Sequence, residues 1–192
     1  MSDRPVSTER INDNEENADL RAMIRTIPDY PMAGIQFRDV STLLLDADGF
    51  RAAIDRLAAR IDPDAVDLIA GIEARGFIVA AGLSYALRKG KLMLRKTGKL
   101  PGDTVGIDYA LEYGSDRIEM HVGAVTPGAR VVLVDDLLAT GGTALAAVTL
   151  LRGQGAIVDN ALFIVDLPEL GGGERLRAAD VTPIALVTFS GH

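Results

Sequence analysis

The chain has no cysteine and only two histidines, His121 and His192. Without cysteine there is no disulfide framework, no thiolate zinc site and no cysteine nucleophile. So few histidines also exclude a histidine-rich metal site. Cations are in deficit: 20 Lys and Arg stand against 27 Asp and Glu, a formal charge of −7, which argues against nucleic acid as a partner. No apolar run approaches membrane-spanning length, so no membrane partner is expected. The N-terminal stretch has neither the basic start nor the apolar core of a secretory leader, so a cytoplasmic protein is expected.

The 48% hydrophobic content over 192 residues suits one globular domain with a substantial core. The start of the chain differs. Asp3, Glu9, Asp13, Glu15, Glu16 and Asp19 face only Arg4 and Arg10 in the first twenty residues, with few apolar side chains among them. Residues 1–16 are therefore expected to be a disordered acidic tail, and residues 17–192 the single domain.

Hydrophobic spacing sketches the elements. Leu20, Met23, Ile24 and Ile27 recur at helical intervals, a first helix that Pro28 stops, followed by a loop over residues 29–42. Asp48 reads as the N-cap of a helix with Phe50, Ile54, Leu57 and Ile61 on one face. Leu68-Ile69-Ala70 reads as a buried strand, Gly71 to Gly76 as a loop, and the next helix runs through Leu87 to an end at Lys89-Gly90. Leu92-Met93-Leu94 is a further strand. Residues 95–115, with five Gly or Pro, read as a long irregular excursion, a lid. Ile118, Met120 and Val122 alternate as a half-exposed strand, and later strands lie around residues 161–165 and 184–189. Strands alternating with helices predict an α/β fold, an open and mostly parallel sheet flanked by helices, with ligands at the carboxyl ends of its strands.

The most specific stretch is Val131-Val132-Leu133-Val134-Asp135-Asp136-Leu137-Leu138-Ala139-Thr140-Gly141-Gly142-Thr143. A buried strand ends in two carboxylates, and a small Gly-rich turn leads into the helical pattern of Leu145, Val148, Thr149 and Leu151. A helix N-terminus offers unpaired N–H groups and partial positive charge to a phosphate, while the carboxylates accept hydrogen bonds from neighbouring hydroxyls. Ribose 5-phosphate has both features. The stretch resembles the phosphoribosyl pyrophosphate signature of the type I phosphoribosyltransferases. That resemblance implies Asp135 and Asp136 on the ribose diol and Ala139, Thr140, Gly141, Gly142 and Thr143 around the 5-phosphate.

Other segments resemble one branch, the adenine phosphoribosyltransferases. Ala70-Gly71-Ile72-Glu73-Ala74-Arg75-Gly76-Phe77 is similar to their pyrophosphate loop, which implies Arg75 as a pyrophosphate ligand through its fork of donors. Arg95-Lys96-Thr97-Gly98-Lys99-Leu100-Pro101-Gly102, with the later Leu111-Glu112-Tyr113-Gly114, resembles their catalytic hood. Arg95, Lys96 and Lys99 are then expected at the pyrophosphate, and Glu112 at proton transfer. The segment from Tyr30 to Asp39 resembles their base-reading loop. It implies Phe37 stacked on the base, backbone groups near Gln36 and Arg38 on its edge, and Leu167 across its other face. Gln36 departs from the aliphatic residue common there, and Gly171-Gly172-Gly173 has no role by the resemblance.

The resemblance implies a type I phosphoribosyltransferase fold with a flexible hood, and a homodimer. It also implies conversion of adenine and phosphoribosyl pyrophosphate into AMP and pyrophosphate, in purine salvage. Mg2+ is the expected cofactor, held mainly through substrate oxygens and water with no direct protein metal site. Two alternatives stand: a 6-oxopurine phosphoribosyltransferase, and a non-catalytic sensor of phosphoribosyl pyrophosphate. Ala139 occupies the position where 6-oxopurine enzymes often carry a catalytic acid, which favours adenine. A sensor of the repressor kind needs a DNA-binding segment, and the acidic N-terminal stretch has the wrong sign for one.

Overall fold

The computed structural model describes residues 16–110 and 115–191. The acidic tail expected over residues 1–16 lies outside them but for Glu16, as do His192 and the whole Leu111-Glu112-Tyr113-Gly114 segment. Helix α1, Ala18–Met23, buries Leu20 and ends four residues earlier than the apolar spacing predicts. Ile24 is already extended, and strand β1, Arg25–Pro28, pairs antiparallel with β2, Gln36–Asp39, so that Ile27 faces Phe37. The branched side chains of Thr26 and Ile27 favour extended backbone, and pairing with β2 outweighs the helical period. The span read as a loop therefore holds a hairpin, and it leads directly into helix α2, Ser41–Leu45.

Helix α3, Ala47–Ala58, is capped by Asp46 rather than Asp48: the Asp46 carboxylate accepts from the amides of Asp48 and Gly49 at 3.1 and 2.8 Å. Ile54 and Leu57 are buried and Phe50 packs beside them, while Ile61 joins the core beyond the helix end. Strand β3, Leu68–Ile72, leads into helix α4, Gly76–Leu87, which closes on Arg88 in the left-handed region (φ 56°). Gly90, expected as its stop, instead opens β4, Gly90–Lys96.

Strand β4 is followed by β5, Thr104–Ala110, and β6, Ser115–His121, paired antiparallel. Much of the expected irregular excursion is thus sheet. Val105, Ile107 and Tyr109 alternate and pack onto the core, a period-2 signal that the glycines and prolines around it obscure. Next come β7, Val131–Val134, the two-residue β8, Leu137–Leu138, and helix α5, Gly142–Gly153. Strand β9, Asn160–Asp166, helix α6, Gly172–Ala178, and β10, Thr182–Thr188, complete the described elements.

The main sheet runs β10-β9-β7-β3-β4-β6-β5, and β8 pairs with β9. Pairing is parallel from β10 to β4, and the β5–β6 hairpin extends that edge antiparallel. Alternate side chains feed two cores. Ile69, Val132, Val134, Leu162 and Ile164 face α1 to α4, whereas Ala70, Val131, Leu133, Ala161 and Phe163 face α5 and α6. Burial on both faces explains why the motif strand is apolar without interruption.

Candidate active site

The parallel register of β3 and β7 pairs Gly71 with Val134, so both strands deliver their following loops to the same edge. From β3 comes Glu73-Ala74-Arg75, and from β7 comes Asp135-Asp136. The loops nearly touch. A Cβ on Gly76 would come within 2.7 Å of Asp135 Oδ1 and 3.0 Å of Asp135 Cα, so only glycine lets α4 start this close. Arg75 Nε donates to Asp136 Oδ2 at 2.5 Å.

The charges are unevenly poised. Burial, then the neighbouring Asp136 carboxylate, pushes the Asp135 carboxyl well above the usual carboxylate range. For Arg75, burial works against the charge, but the hydrogen bond to Asp136 and the fields of Asp136, Asp135 and Asp39 outweigh it and raise its pKa. Asp136 is itself buried. Arg75 thus holds Asp136 directly, while Asp135 Oδ1 accepts from the Asp136 amide at 2.9 Å, and a diol donating hydroxyl protons is a ligand that such a pair takes well.

Beyond the pair, β8 sets the direction of the Ala139 to Thr143 loop by pairing Leu137 with Val165 and Leu138 with Asp166. Gly141 is the N-cap of α5 with φ 79°, a conformation suited to glycine, and no side chain caps that end among the described residues. The first-turn amides therefore remain available to an anion beside the acidic pair.

The cations of the expected pyrophosphate side are drawn in by acids. Glu73 accepts from Arg95 Nε and NH2 at 3.2 and 3.0 Å and from the Lys96 amide at 3.0 Å. The Arg95 hydrogen bond is the main reason the Glu73 carboxyl lies below its ordinary pKa. Arg95 also donates to the Lys99 carbonyl at 2.8 Å. Lys96 Nζ lies 3.0 Å from Asp116 of β6, whose other neighbour, the Tyr109 hydroxyl, accepts from Thr143 Oγ1 at 3.5 Å. Arg95 and Lys96 therefore sit beside the β3 loop, each with an acid as its present partner.

On β2, Phe37 is half-buried, with Tyr30 edge-on at 5.2 Å and the Arg75 guanidinium 5.7 Å from its ring centre. The Arg38 side chain leads elsewhere: it donates to Thr26 and the Ser190 carbonyl and lies over Phe189 at 4.6 Å. Any contact it makes with a base is a main-chain one. Leu167 is buried at the end of β9, its amide held by the Leu138 carbonyl at 2.9 Å. Phe37, Arg75 and Asp136 form one contiguous row.

Residues 41–169 match the phosphoribosyl transferase domain family. An adenine phosphoribosyltransferase from Bradyrhizobium diazoefficiens is 57% identical over 174 residues, which are 91% of this chain and 97% of that protein. The chain belongs to the adenine phosphoribosyltransferase family. A family member from Thermoanaerobacter pseudethanolicus, 45% identical, superposes with a TM-score of 0.85 over 90% of this chain and 99% of the other. The Saccharomyces cerevisiae member is 32% identical, with a TM-score of 0.84 and coverage of 90% and 99%. It was crystallised with an imino-altritol bisphosphate and adenine. The fold is that of the type I phosphoribosyltransferases, an α/β fold with a mostly parallel sheet.

Family motifs alone leave several participants unnoticed. Asp39, buried at the end of β2, pairs with Arg25 at 2.5 Å; hydrogen bonds from Ser41 and Arg25 lower its pKa to about 2. It ties β2 to β1 within the hairpin and adds to the field at Arg75. Asp116 and Tyr109 needed the β5–β6 register to be found, because seven residues separate them in sequence yet the hairpin sets Tyr109 directly opposite Asp116. Gly172 and Arg175 of α6 also reach the loop from Ala139 to Thr143. In sequence Gly171-Gly172-Gly173 reads as a flexible, insertion-like run, whereas Gly172 and Gly173 lie buried in the first turn of α6.

Proposed function

We propose that the protein transfers the 5-phosphoribosyl group of phosphoribosyl pyrophosphate to adenine, forming AMP and pyrophosphate in purine salvage. The observation that carries this is the meeting of Arg75 with the Asp135–Asp136 pair at the edge shared by β3 and β7, beside the uncapped start of α5. In this reading Asp135 and Asp136 accept the ribose hydroxyls, and Ala139, Thr140, Gly141, Gly142 and Thr143 enclose the 5-phosphate. Arg75 takes the pyrophosphate, joined by Lys96, Lys99 and Arg95 once substrate oxygens compete with Asp116 and Glu73. Phe37 and Leu167 hold the faces of the base, and backbone groups near Gln36 and Arg38 read its edge. Strand β2 has β1 on one side only among the described strands, so its outer edge keeps donors and acceptors for that purpose.

The reaction breaks the bond from the anomeric carbon to pyrophosphate, which leaves with the electron pair, while a base nitrogen bonds to the same carbon. Such displacements have oxocarbenium-like character, so the work of the protein is alignment and stabilisation of the leaving charge. Glu112 accepts the proton released by the base nitrogen. Closure of the hood excludes water, which otherwise hydrolyses the activated sugar.

Mg2+ suits the site because the proposed substrate brings hard oxygen ligands, pyrophosphate and ribose hydroxyls, next to the acidic pair Asp135 and Asp136. Among the described residues no cluster of three or more potential ligands could hold a metal by itself, and the ion is assigned to substrate oxygens and water near that pair. When bound, it neutralises charge on the pyrophosphate.

We also propose a homodimer in the cytoplasm. Helix α4 exposes Ile78 and Tyr85, 46% and 89% accessible, on a face that includes Ala81, and a second copy would cover it. Sedimentation at micromolar concentration reads this directly, and a monomer would remove it. No helix among the described residues is long and apolar enough to cross a membrane.

Changing both Asp135 and Asp136 to Asn tests the core assignment. The shape is kept, but each lost charge-assisted bond costs ~1.5–3 kcal/mol. Calorimetry should show phosphoribosyl pyrophosphate binding at least roughly tenfold weaker for each such bond lost, with the fold intact. Unchanged affinity in a folded variant would remove these residues from the site.

A further inference from the structure

Helix α6 and the glycines that open it stand outside every motif assigned above, yet they hydrogen-bond directly to the proposed 5-phosphate loop. The Gly172 amide donates to the Ala139 carbonyl at 3.1 Å, and Arg175 NH1 donates to the Thr140 carbonyl at 3.0 Å. A Cβ on Gly172 would overlap the Ala139 carbonyl oxygen and lie 2.9 Å from the Gly141 nitrogen, and one on Gly141 would lie 3.0 Å from Gly172 Cα. The two glycines are thus packed backbone to backbone.

The direction of these bonds matters. In a trans peptide the carbonyl and the N–H of the same unit point to opposite sides. Holding the Ala139 and Thr140 carbonyls toward α6 therefore turns the Thr140 and Gly141 amide hydrogens away from α6. It also removes two carbonyl dipoles whose negative ends would repel a phosphate. The third carbonyl of the loop, that of Gly141, is taken by the Leu145 amide at 2.9 Å within α5. Three successive carbonyls are thus held by named partners, two of them on α6, and the guanidinium adds a positive charge behind the loop.

We propose that Arg175 and Gly172 are positioning residues that preset the 5-phosphate loop for its anion, acting through loop backbone without touching the ligand. This rests on the phosphoribosyltransferase reading of the site. It also gives a purpose to Gly171-Gly172-Gly173: α6 approaches the loop more closely than any side-chain-bearing residue allows. Position 172 must be glycine for contact, and Gly171, with φ 75°, supplies the left-handed turn from which α6 starts.

The test compares ligands that differ only in the phosphate. AMP, adenosine and adenine are titrated calorimetrically into the wild-type protein and into Arg175→Ala and Arg175→Lys. Arg175 is exposed, so its removal should leave the melting temperature nearly unchanged. AMP affinity should fall roughly tenfold in Arg175→Ala, as expected for one lost charged hydrogen bond. Adenosine and adenine should bind as in wild type, and Arg175→Lys should recover part of the loss. In turnover, KM for phosphoribosyl pyrophosphate should rise while KM for adenine holds. Unaltered AMP affinity in Arg175→Ala would overturn the proposal, and so would an equal loss for all three ligands, which marks a general structural role. Failure of the wild-type protein itself to bind AMP would instead strike the reading of the site. Gly172→Ala provides a second variant, with a larger AMP-specific loss expected.

Discussion

Glu112→Gln is expected to lower kcat by roughly 10²–10⁴-fold, the usual range for losing a positioned general base. Glutamine keeps the size and hydrogen-bonding capacity of glutamate but cannot take up a proton near neutral pH. Neither histidine offers an alternative: His121 bonds to the Pro101 carbonyl at the far end of β6, and His192 follows the last described strand. Ala139 is chemically inert. Glu112 belongs to the segment that joins β5 to β6, and the hairpin leading to it is linked to the site through Lys96, Asp116, Tyr109 and Thr143. Substrate affinity should change little, because the substitution leaves every residue proposed for the ribose, phosphate and pyrophosphate contacts in place. Single-turnover kinetics separate the two effects. A variant with near-normal chemistry would leave Glu112 as a hood residue and pass the proton to solvent or to the substrate's own phosphate.

The second large effect concerns the base. Adenine should be used about 10⁴-fold better than hypoxanthine, measured as the ratio of kcat/KM values. The stacking proposed for Phe37 and Leu167 would not give that ratio, since stacking tolerates any purine. The discrimination must come from polar groups along β2. A backbone edge that accepts from an exocyclic amine and donates to an unprotonated ring nitrogen meets the reverse pattern in a 6-oxopurine. Both its groups are then buried unpaired, which is far costlier than a poor fit. Comparable use of hypoxanthine would overturn the assignment of adenine and direct attention to Gln36, whose side chain could supply a compensating hydrogen bond.

How far the chain could be read differed by region, for physical reasons. The motif strand was legible, but the short strand β8 that follows the acidic pair was not. Val131 to Val134 are buried on both faces, so the local pattern is unambiguous, whereas the two residues of β8 are set by pairing with β9. The β1–β2 hairpin was not legible. Leu20, Met23 and Ile24 serve α1 or its exit while Ile27 pairs with Phe37, so one apparent helical period spans two elements whose boundary is set by a partner ten residues away. The hood hairpin was hidden differently, because glycine and proline density reads as irregular backbone even where Val105, Ile107 and Tyr109 alternate. The position of each cation was beyond sequence alone. Arg75, Arg95 and Lys96 all read as anion ligands, yet each is paired with a different acid, and only the register of β3, β4 and β6 determines which. The same holds for α6, whose contact with the phosphate loop spans more than thirty residues of chain and emerges only when the sheet brings β8 and β9 together.

The proposed reaction is read most simply from its product mixture. The purified protein is incubated with Mg2+, phosphoribosyl pyrophosphate and adenine, and AMP and pyrophosphate are quantified in the same samples, with and without a chelator. The account predicts equal amounts of AMP and pyrophosphate, rising together as adenine is consumed and suppressed when the metal is sequestered. Pyrophosphate release without AMP, or no nucleotide from adenine while a 6-oxopurine is converted, would contradict it.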